Sequence, residues 1–311
     1  MAISEAVRET DAINGGAPVG RWGVYFSATR AYSFPASVAS VLLGAALAYR
    51  GYGGEARFDI VMLLLTLAGA ILAHAAGNIF NDYFDYVKGI DTKPEHGSGV
   101  LPSELLTVSE MRNFGTACLC GAALFGGIAL LRAPFALNVI VPLGILGAAC
   151  AIFYTSFLKK IALGDVTIMT AFGMGLTLGS YGVQTSVTNA PQVGLILWLA
   201  LPVTLLVDAI LHANNIRDAA NDTAFGYRTV ASLLGNESSR NLQRILIFGP
   251  IALISLLVSM RWLPLSALAV LLSVPLLIRA YKSGDVPMTA QAHLLFGLLY
   301  ALGVAVMARP I

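Results

Sequence analysis

The sequence predicts an all-α membrane protein with nine transmembrane helices, and two observations lead to this prediction. The first is composition: 57% of the 311 residues are hydrophobic and 12% are charged, whereas a soluble domain carries about 25% charged residues. The second is that nine apolar stretches approach the roughly 20 residues that a helix needs to cross a bilayer. A mean hydropathy of +0.76 agrees with both observations.

The predicted helices follow one another through most of the chain. Residues 1–20 are polar and lack an apolar core, so they predict a mobile cytosolic tail and not a signal peptide. Residues 21–311 are then expected to form a single transmembrane domain. Prolines inside the apolar runs are expected to kink the helices, and neighbouring helices can satisfy the carbonyls that they leave free. The nine helices are predicted near residues 24–49, 58–83, 112–131, 135–157, 165–187, 193–215, 242–260, 262–280 and 290–308.

Lysine and arginine are distributed unequally between the two ends of these helices. With the N-terminus inside, 14 of the 19 basic residues fall on the cytosolic side and 5 on the other. The positive-inside rule therefore predicts a cytosolic N-terminus and an external C-terminus. We expect the membrane to be a bacterial or archaeal cytoplasmic membrane. A net charge of +2 gives no reason to expect a nucleic-acid partner.

Two acidic clusters stand at the cytosolic ends of the second and sixth predicted helices. Residues three or four apart share one face of a helix, so each cluster forms a stripe of amide and carboxylate groups. Carboxylates are costly near a bilayer unless they are paired or bind metal. The stripes therefore predict hard-cation sites where Mg²⁺ bridges carboxylates and a phosphate-bearing substrate. They consist of Asn78, Asp82 and Asp85 in the first cluster, and of Asn214 or Asn215, Asp218 and Asp222 in the second.

Two long cytosolic loops are predicted to follow the clusters, over residues 86–111 and 216–241. Gly89 and Gly226 are expected to lie just past the ends of the two helices, because glycine is favoured at that position. Long loops in compact bundles are often lids or binding elements. Both loops mix acidic and basic residues, which suits the binding of metal ions and phosphate oxygens.

The motifs in these clusters resemble those of the UbiA-type membrane prenyltransferases. Asn81-Asp82-x-x-Asp85 followed by Lys88-Gly89-x-Asp91 is similar to the first aspartate motif of that family. Asn214-Asn215-x-Arg217-Asp218-x-x-x-Asp222 is similar to the second. Tyr154-Thr155, Lys159 and Leu163-Gly164-Asp165 also match, and the resemblance extends over roughly residues 20–308.

Within the family, the Lys88-Gly89-x-Asp91 tail is most similar to MenA-like enzymes, which prenylate 1,4-dihydroxy-2-naphthoate in menaquinone biosynthesis. The resemblance implies a UbiA-like helical bundle around a central cavity. It also implies Mg²⁺-dependent transfer of a polyprenyl group from polyprenyl diphosphate to an aromatic acceptor, which in MenA-like relatives loses its carboxylate as CO₂. The isoprenoid tail is expected along apolar helix faces, with a lateral opening to membrane lipid. The chain departs from the pattern after Tyr154-Thr155, where relatives often carry a proline.

The resemblance further implies roles for individual polar residues. Metal ions neutralise a leaving diphosphate, basic side chains contact its oxygens, and aromatic faces stabilise the allyl cation. The expected metal ligands are Asp82, Asp85, Asp91, Asp218 and Asp222. The expected supporting amides are Asn78, Asn81, Asn214 and Asn215. The expected diphosphate contacts are Lys88, Lys159, Arg217 and Arg228, and the expected aromatic faces are Tyr154 and Tyr181.

Two ionisable residues fall within the predicted membrane interior. His74 lies four residues before Asn78 on the same helical face, and Asp208 continues the stripe of Asp218 at a depth of roughly 15 Å. One hypothesis is that they line the acceptor pocket, where one of them deprotonates or steers the acceptor hydroxyl. The alternative is that each forms a hydrogen bond that bridges two helices.

The sequence leaves two other functions open. A UbiA-type enzyme can act on another acceptor, such as homogentisate, 4-hydroxybenzoate, a porphyrin or a glycerophosphate lipid. A cation-coupled transporter would also carry carboxylates within the membrane. Transporters place coupling sites near the bilayer midplane on broken helices, whereas these clusters stand at helix ends on one side, which disfavours transport.

Overall fold

The computed structural model describes residues 20–95, 97–187 and 189–306. In this part of the chain, a short helix α1 (Arg21–Ala28) precedes nine helices that are long and apolar enough to cross a membrane, as predicted. The same residues contain no β-structure beyond one isolated bridge between Ile161 and Arg228. The predicted tail lies almost wholly outside the described residues. The nine helices are α2 (Ala31–Tyr49), α3 (Ile60–Val87), α4 (Val108–Arg132), α5 (Pro134–Tyr154), α6 (Gly164–Gln184), α7 (Ala190–Ala224), α8 (Val230–Ser259), α9 (Leu265–Ser283) and α10 (Val286–Val306).

The predicted first helix, near 24–49, is divided into α1 and α2. Arg30 adopts a left-handed backbone conformation with φ of 49°, and one turn of 3₁₀ helix follows it. Pro35 then occupies the first turn of the continuous helix. A proline is tolerated there because the first N–H groups of a helix have no partner within the helix. The chain therefore breaks before Pro35 and does not kink around it.

The helix that carries the second cluster is longer than predicted, and the predicted loop 216–241 does not exist. α7 continues to Ala224, and α8 begins at Val230 after a short connection. A capping box between Thr229 and Ser232 starts α8, and Gly235 interrupts its first turns with φ of 74°. The loop after the first cluster is long, as predicted, and α4 starts at Val108.

Glycines in the middle of helices let three segments pack closely. A Cβ atom on Gly44 would lie 2.3 Å from the carbonyl oxygen of Thr177, and one on Gly297 would lie 2.3 Å from Cβ of Ala39. Small residues at helix crossings are the usual means by which membrane helices approach one another. They place α2 directly against α6 and α10, so α2 is buried at the centre of the bundle.

One helix contains an irregular segment that bears on the site. Met169–Gly175, within α6, is a π-helix. A Cβ atom on Gly173 would lie 2.4 Å from Oγ1 of Thr204, so this segment packs tightly on α7. Segments of π-helix are rare and often occur at functional sites. Here the segment presents Phe172 to an internal cavity.

Candidate active site

A cavity of about 190 Å³ lies within the bundle. It is near the acidic end, which we define as the end where α3 and α7 terminate at Val87 and Ala224. Small apolar residues of α3 and α5 form one wall of the cavity, and polar side chains lie towards the acidic end. The predicted site residues that line it are His74, Asn78, Asn81, Tyr154, Lys159 and Asn214.

The first aspartate cluster holds the break between α1 and α2 beside the cavity. Asp82 forms an ion pair with Arg30 and accepts a hydrogen bond from the backbone N–H of Ser98 at 2.9 Å. Nδ2 of Asn78 donates to the carbonyl of Thr29 at 2.8 Å and lies 2.9 Å from Oγ of Ser33. This cluster therefore fixes Arg30, a cavity residue, in its left-handed conformation.

The two clusters meet through Asp91. Its backbone N–H lies 3.3 Å from the carbonyl oxygen of Asp85, and its charge acts on both Asp85 and Asp222. Asp85 is buried, and the hydroxyl of Tyr227 lies 3.5 Å from its Oδ1. Carboxylates of α3 and α7 thus lie within electrostatic reach of one another at the acidic end.

The carboxylates of the second cluster pair with basic side chains. Arg217 donates two hydrogen bonds to Asp218, at 2.7 Å and 2.8 Å, and one to Oδ1 of Asn214 at 2.7 Å. Lys159 reaches across from the α5–α6 connection to Asp222, with Nζ 2.9 Å from Oδ1. Burial alone would lower the pKa of Lys159, but Asp222 and Asp85 raise it by more than burial lowers it. Lys159 is therefore charged at neutral pH.

The five aspartates predicted to bind metal are now paired with other groups. Among the described residues, no three His, Cys, Asp or Glu side chains are placed to hold one ion, and Arg30, Arg217 and Lys159 pair with Asp82, Asp218 and Asp222. The donor set nevertheless suits Mg²⁺, which takes one or two carboxylates and completes its shell with waters and substrate phosphates. Asp222 Oδ2, which is buried, accepts no hydrogen bond within the described part of the chain.

Gly97 offers a test of the loop that covers Asp82. Its φ is +62°, and a Cβ atom there would lie 2.6 Å from Oδ1 of Asp82. We expect Gly97→Ala to displace the loop and lower activity about tenfold, because left-handed strain costs about 1–2 kcal/mol and the carboxylate must also move. Gly89→Ala is the matched control, since Gly89 has φ of +72° and open space around the new methyl group. Equal activity losses in the two variants would contradict a role for the contact with Asp82.

His74 lies in the cavity wall, next to the start of α2. Its Nε2 is 3.1 Å from Oγ of Ser33 and its Nδ1 is 2.8 Å from Oγ of Ser37. The rings of Phe34 and Phe172 meet it edge-on, with centroids at 5.4 Å and 4.5 Å. The two hypotheses for His74 are thus both compatible with its position, since it bridges helices and also faces the cavity.

Tyr181 and Asp208 do not lie where the sequence analysis expects them. Tyr181 is buried at the end of the bundle opposite the acidic end, where its hydroxyl donates to the carbonyl of Tyr52 at 2.6 Å and accepts from Gln192 at 3.0 Å. It is absent from the cavity lining and cannot shield a cation there. Asp208 is buried behind the cavity and contacts Asp165. The rotation of α7 turns it away from the lining.

The cavity lining also excludes the five predicted aspartates, Arg217, Lys88, Asn215 and Arg228. Lys88 caps the end of α3, with Nζ 5.6 Å from the ring centre of Phe84. Asn215 is buried within the bundle. Arg228 is exposed, and its backbone pairs with Ile161. Of these last three, Lys88 and Arg228 stay within the acidic end.

The sequence analysis missed two residues of the site. Arg30 belongs to no motif, and the only sequence signal near it is Pro35, which favours a helix start at that position. Tyr227 follows Gly226, and its ring lies 5.3 Å from Nζ of Lys159 and 5.4 Å from Nζ of Lys160. Burial and the nearby Asp85 raise the pKa of Tyr227, so its hydroxyl stays protonated.

The chain belongs to the UbiA prenyltransferase family, whose model matches residues 37–302. It is therefore an enzyme that transfers prenyl groups.

Similar proteins agree with this assignment. The chain is 33% identical over 304 residues to UbiA prenyltransferase domain-containing protein 1 of Gallus gallus, covering 92% of this chain and 87% of that protein. It is 34% identical over 294 residues to the protein of that name in Homo sapiens, with coverages of 90% and 82%.

Solved structures confirm the fold. The apo structure of a UbiA homolog from Aeropyrum pernix K1 matches with a TM-score of 0.69 at 18% identity, over 88% of this chain and 97% of that chain. A UbiA homolog from Archaeoglobus fulgidus bound to DMAPP and Mg²⁺ matches with a TM-score of 0.57 at 11% identity, over 91% and 99%.

Proposed function

We propose that this enzyme transfers a polyprenyl group from its diphosphate to an aromatic acceptor in a Mg²⁺-dependent reaction. The observation that carries the proposal is that Arg30 and Lys159, which line one apolar cavity, each pair with a carboxylate of one aspartate cluster. The Archaeoglobus fulgidus homolog bound to DMAPP and Mg²⁺ supports the same substrate chemistry.

The site residues divide the work between metal binding and diphosphate binding. Asp82, Asp85, Asp91, Asp218 and Asp222 would hold Mg²⁺, which when bound neutralises charge on the leaving diphosphate. Arg30 and Lys159 line the cavity and now pair with carboxylates, so each can turn to diphosphate oxygens once a metal ion takes its partner. Lys88, Arg217 and Arg228 supply further positive charge near the acidic end.

The allyl cation is expected against aromatic faces in a dry part of the cavity. Tyr154 and Phe172 both line it, and aromatic faces attract cations. The wall around them is apolar, which keeps water from capturing the cation. Tyr154 thus retains the role that the family resemblance implies, and Phe172 takes the one expected of Tyr181.

For the acceptor we propose 1,4-dihydroxy-2-naphthoate, with loss of CO₂, in menaquinone biosynthesis. The support is the similarity of the Lys88-Gly89-x-Asp91 tail to MenA-like enzymes. The animal relatives carry a name that specifies no acceptor, and they are not named as MenA-like enzymes. Homogentisate, 4-hydroxybenzoate, a porphyrin and a glycerophosphate lipid are the alternatives that the test must include.

The test uses purified protein in nanodiscs with Mg²⁺, geranylgeranyl or farnesyl diphosphate and the five acceptors, with products identified by mass spectrometry. A prenylated, decarboxylated naphthoquinol supports the MenA-like assignment. Product from another acceptor supports prenyl transfer but assigns a different acceptor. No product from any acceptor, in folded protein, contradicts the proposed function.

The isoprenoid tail is expected along the wall formed by α3 and α5. Ala70, Ala73 and Gly77 of α3 line the cavity opposite Gly147 and Ala151 of α5. These residues recur at helical spacing and leave a groove that larger side chains would fill. Chain length should therefore depend on the volume of side chains along this wall.

Gly147→Leu tests the path of the tail. A Cβ atom at Gly147 meets no other atom within 4 Å, so the new side chain enters the cavity without a clash in the backbone. We expect activity with geranylgeranyl diphosphate to fall about tenfold or more relative to activity with dimethylallyl diphosphate. The long tail loses roughly 0.8 kcal/mol of binding free energy for each CH₂ group that no longer fits in the groove. Gly127→Leu is the control, because Gly127 is an exposed helical glycine with equally open space. A similar change in chain preference in both variants would refute this path.

We also propose that the acidic end faces the cytosol of the cell. The unequal distribution of basic residues supports this orientation. Attachment of an impermeant thiol reagent to Lys93→Cys from only the cytosolic side of sealed vesicles tests it. Labelling from the other side would reverse the orientation.

A further inference from the structure

A group of buried polar side chains behind the cavity has no role in binding Mg²⁺ or diphosphate. Asp165 of α6, Asp208 and His212 of α7, and Ser239 of α8 are all at most 7% exposed. Ionisable side chains in a membrane interior are costly and usually functional. The group is therefore a candidate for a further step of the reaction.

The two acids of this group interact directly with each other. The carboxyl group of Asp165 lies beside that of Asp208. If both side chains are ionised, then both oxygens of Asp165 and Oδ1 of Asp208 receive no hydrogen bond within the described part of the chain. Two carboxylates that contact one another away from water do not both ionise. A proton between them supplies the missing donor and removes one of the two charges.

His212 holds this pair in place. Its Nε2 lies 3.1 Å from the carbonyl oxygen of Ser239 and 2.9 Å from Oγ of Ser239. Because a carbonyl only accepts hydrogen bonds, Nε2 carries a hydrogen. The other ring nitrogen, Nδ1, then faces Oδ1 of Asp165 at 3.4 Å. The charged or titratable groups that act on Asp208 are Asp165 and His212, and α8 contributes only the uncharged Ser239 to this contact.

Tyr154 connects the pair to the cavity. It lines the cavity, and its hydroxyl packs against Gly164, where a Cβ atom would lie 3.3 Å from the phenolic oxygen. Asp165 is the next residue in α6, and its carboxyl group interacts with Tyr154. A hydroxyl both donates and accepts, so Tyr154 can pass a proton from one side to the other.

We propose that the Asp165–Asp208 pair, oriented by His212, stores the proton of the acceptor hydroxyl and exchanges it through Tyr154. This inference rests on the proposed function. Asp165, Asp208 and His212 are positioning residues, because they act through Tyr154 and do not touch the acceptor.

The proton is borrowed and then returned. The acceptor O–H bond breaks and its proton passes to the pair, while a ring carbon forms a bond to C1 of the prenyl group. The C1–O bond breaks, and its electron pair leaves on the diphosphate. The ring carbon then loses its carboxyl group as CO₂, or its hydrogen as a proton that diphosphate or solvent accepts. The bonding pair returns to the ring, and the stored proton returns to the acceptor oxygen.

The test compares wild type with Asp208→Asn and Asp208→Glu as full-length proteins in nanodiscs. Two reactions are measured against pH: transfer to the acceptor, and release of diphosphate by hydrolysis without an acceptor. We expect kcat for transfer to fall at least tenfold in Asp208→Asn and to lose the decline that wild type shows at low pH, where both acids are protonated. Hydrolysis and the KM for diphosphate should stay within twofold, and Asp208→Glu should retain the pH profile.

Two results would overturn this inference alone: wild-type kcat and pH profile in Asp208→Asn, or equal losses of transfer and hydrolysis, which would indicate a structural role. Failure of wild type to prenylate any acceptor would overturn the proposed function and this inference together. An infrared spectrum provides a readout besides activity. Wild type should show a buried carboxylic-acid C=O band at neutral pH that is absent in the Asp165→Asn/Asp208→Asn protein, and its absence from wild type would contradict the shared proton.

Discussion

Asp85→Asn is expected to reduce prenyl transfer about 10³-fold while the protein stays folded. Asp85 is 2% exposed and lies where the two clusters meet. Asparagine keeps its size but loses the charge that would bind Mg²⁺, whose stabilisation of a leaving group is worth several kcal/mol, with about 1.36 kcal/mol per factor of ten. Removal of Mg²⁺ with EDTA should cause the same loss in wild type, and added Mg²⁺ should restore activity. The measurement is product formation at saturating substrates.

Asp59→Asn is the matched control for this experiment. Asp59 pairs with Arg132 and caps α3 at the end of the bundle opposite the acidic end. Asparagine caps helices as well as aspartate does, so this variant loses one carboxylate and little else. It should transfer prenyl groups at the wild-type rate. Wild-type activity in Asp85→Asn, or in protein freed of divalent metal, would exclude the proposed metal site.

Lys159→Met is expected to lower both stability and activity. Its partner Asp222 is 2% exposed, and loss of one member of a buried pair leaves an uncompensated charge that costs about 3–5 kcal/mol. Lys159 also lines the cavity, so diphosphate loses a contact. Thermal unfolding in detergent and transfer kinetics measure the two effects separately.

The double variant Lys159→Met/Asp222→Asn distinguishes these two effects. Removal of both charges should restore most of the stability, because no unpaired charge remains buried, but it should not restore transfer, because the diphosphate contact and a proposed Mg²⁺ ligand are both lost. If the double variant regains activity together with stability, Lys159 has no role beyond its pairing with Asp222.

The pKa of Lys159 also limits how activity responds to pH. Burial would lower this pKa, but Asp222 and Asp85 raise it above the ordinary value. A group whose pKa is raised in the folded state contributes its full stability below the unfolded pKa and loses it only as pH rises through the folded pKa. Between pH 5 and about 9, Lys159 therefore stays charged, since an unperturbed lysine titrates near 10.4. A change in activity in that range must arise from other groups.

The sequence predicts the helices well because hydrophobic length is a local property. It fails at the ends of α7 and α8, where polar residues continue a helix. Asn214, Arg217 and Asp218 hydrogen-bond to one another within α7 and stabilise turns that have no apolar pattern.

The aspartate stripes are predictable because helical periodicity fixes them, but contacts between distant segments are not. Arg30 reaches Asp82 only through the break before α2. The position of Tyr181 can be deduced from the sequence. It lies 16 residues beyond Asp165 in α6, and a rise of roughly 24 Å takes it to the other end of the bundle. Asp208 has the predicted depth, but the packing of α7 decides its rotation.

The two ends of the bundle differ in whether a diphosphate substrate can compete for their contacts. At the end opposite the acidic end, Tyr181, Gln192 and Gln184 form uncharged hydrogen bonds to neighbouring segments, for which no diphosphate competes. At the acidic end, Arg30 and Lys159 hold neighbouring segments together through ion pairs with Asp82 and Asp222, and a diphosphate substrate would compete for these cations. We therefore expect each catalytic cycle to loosen the acidic end more than the opposite end. Hydrogen exchange that accelerates with substrate turnover will be confined to the first turns before α2 and to the α5–α6 connection.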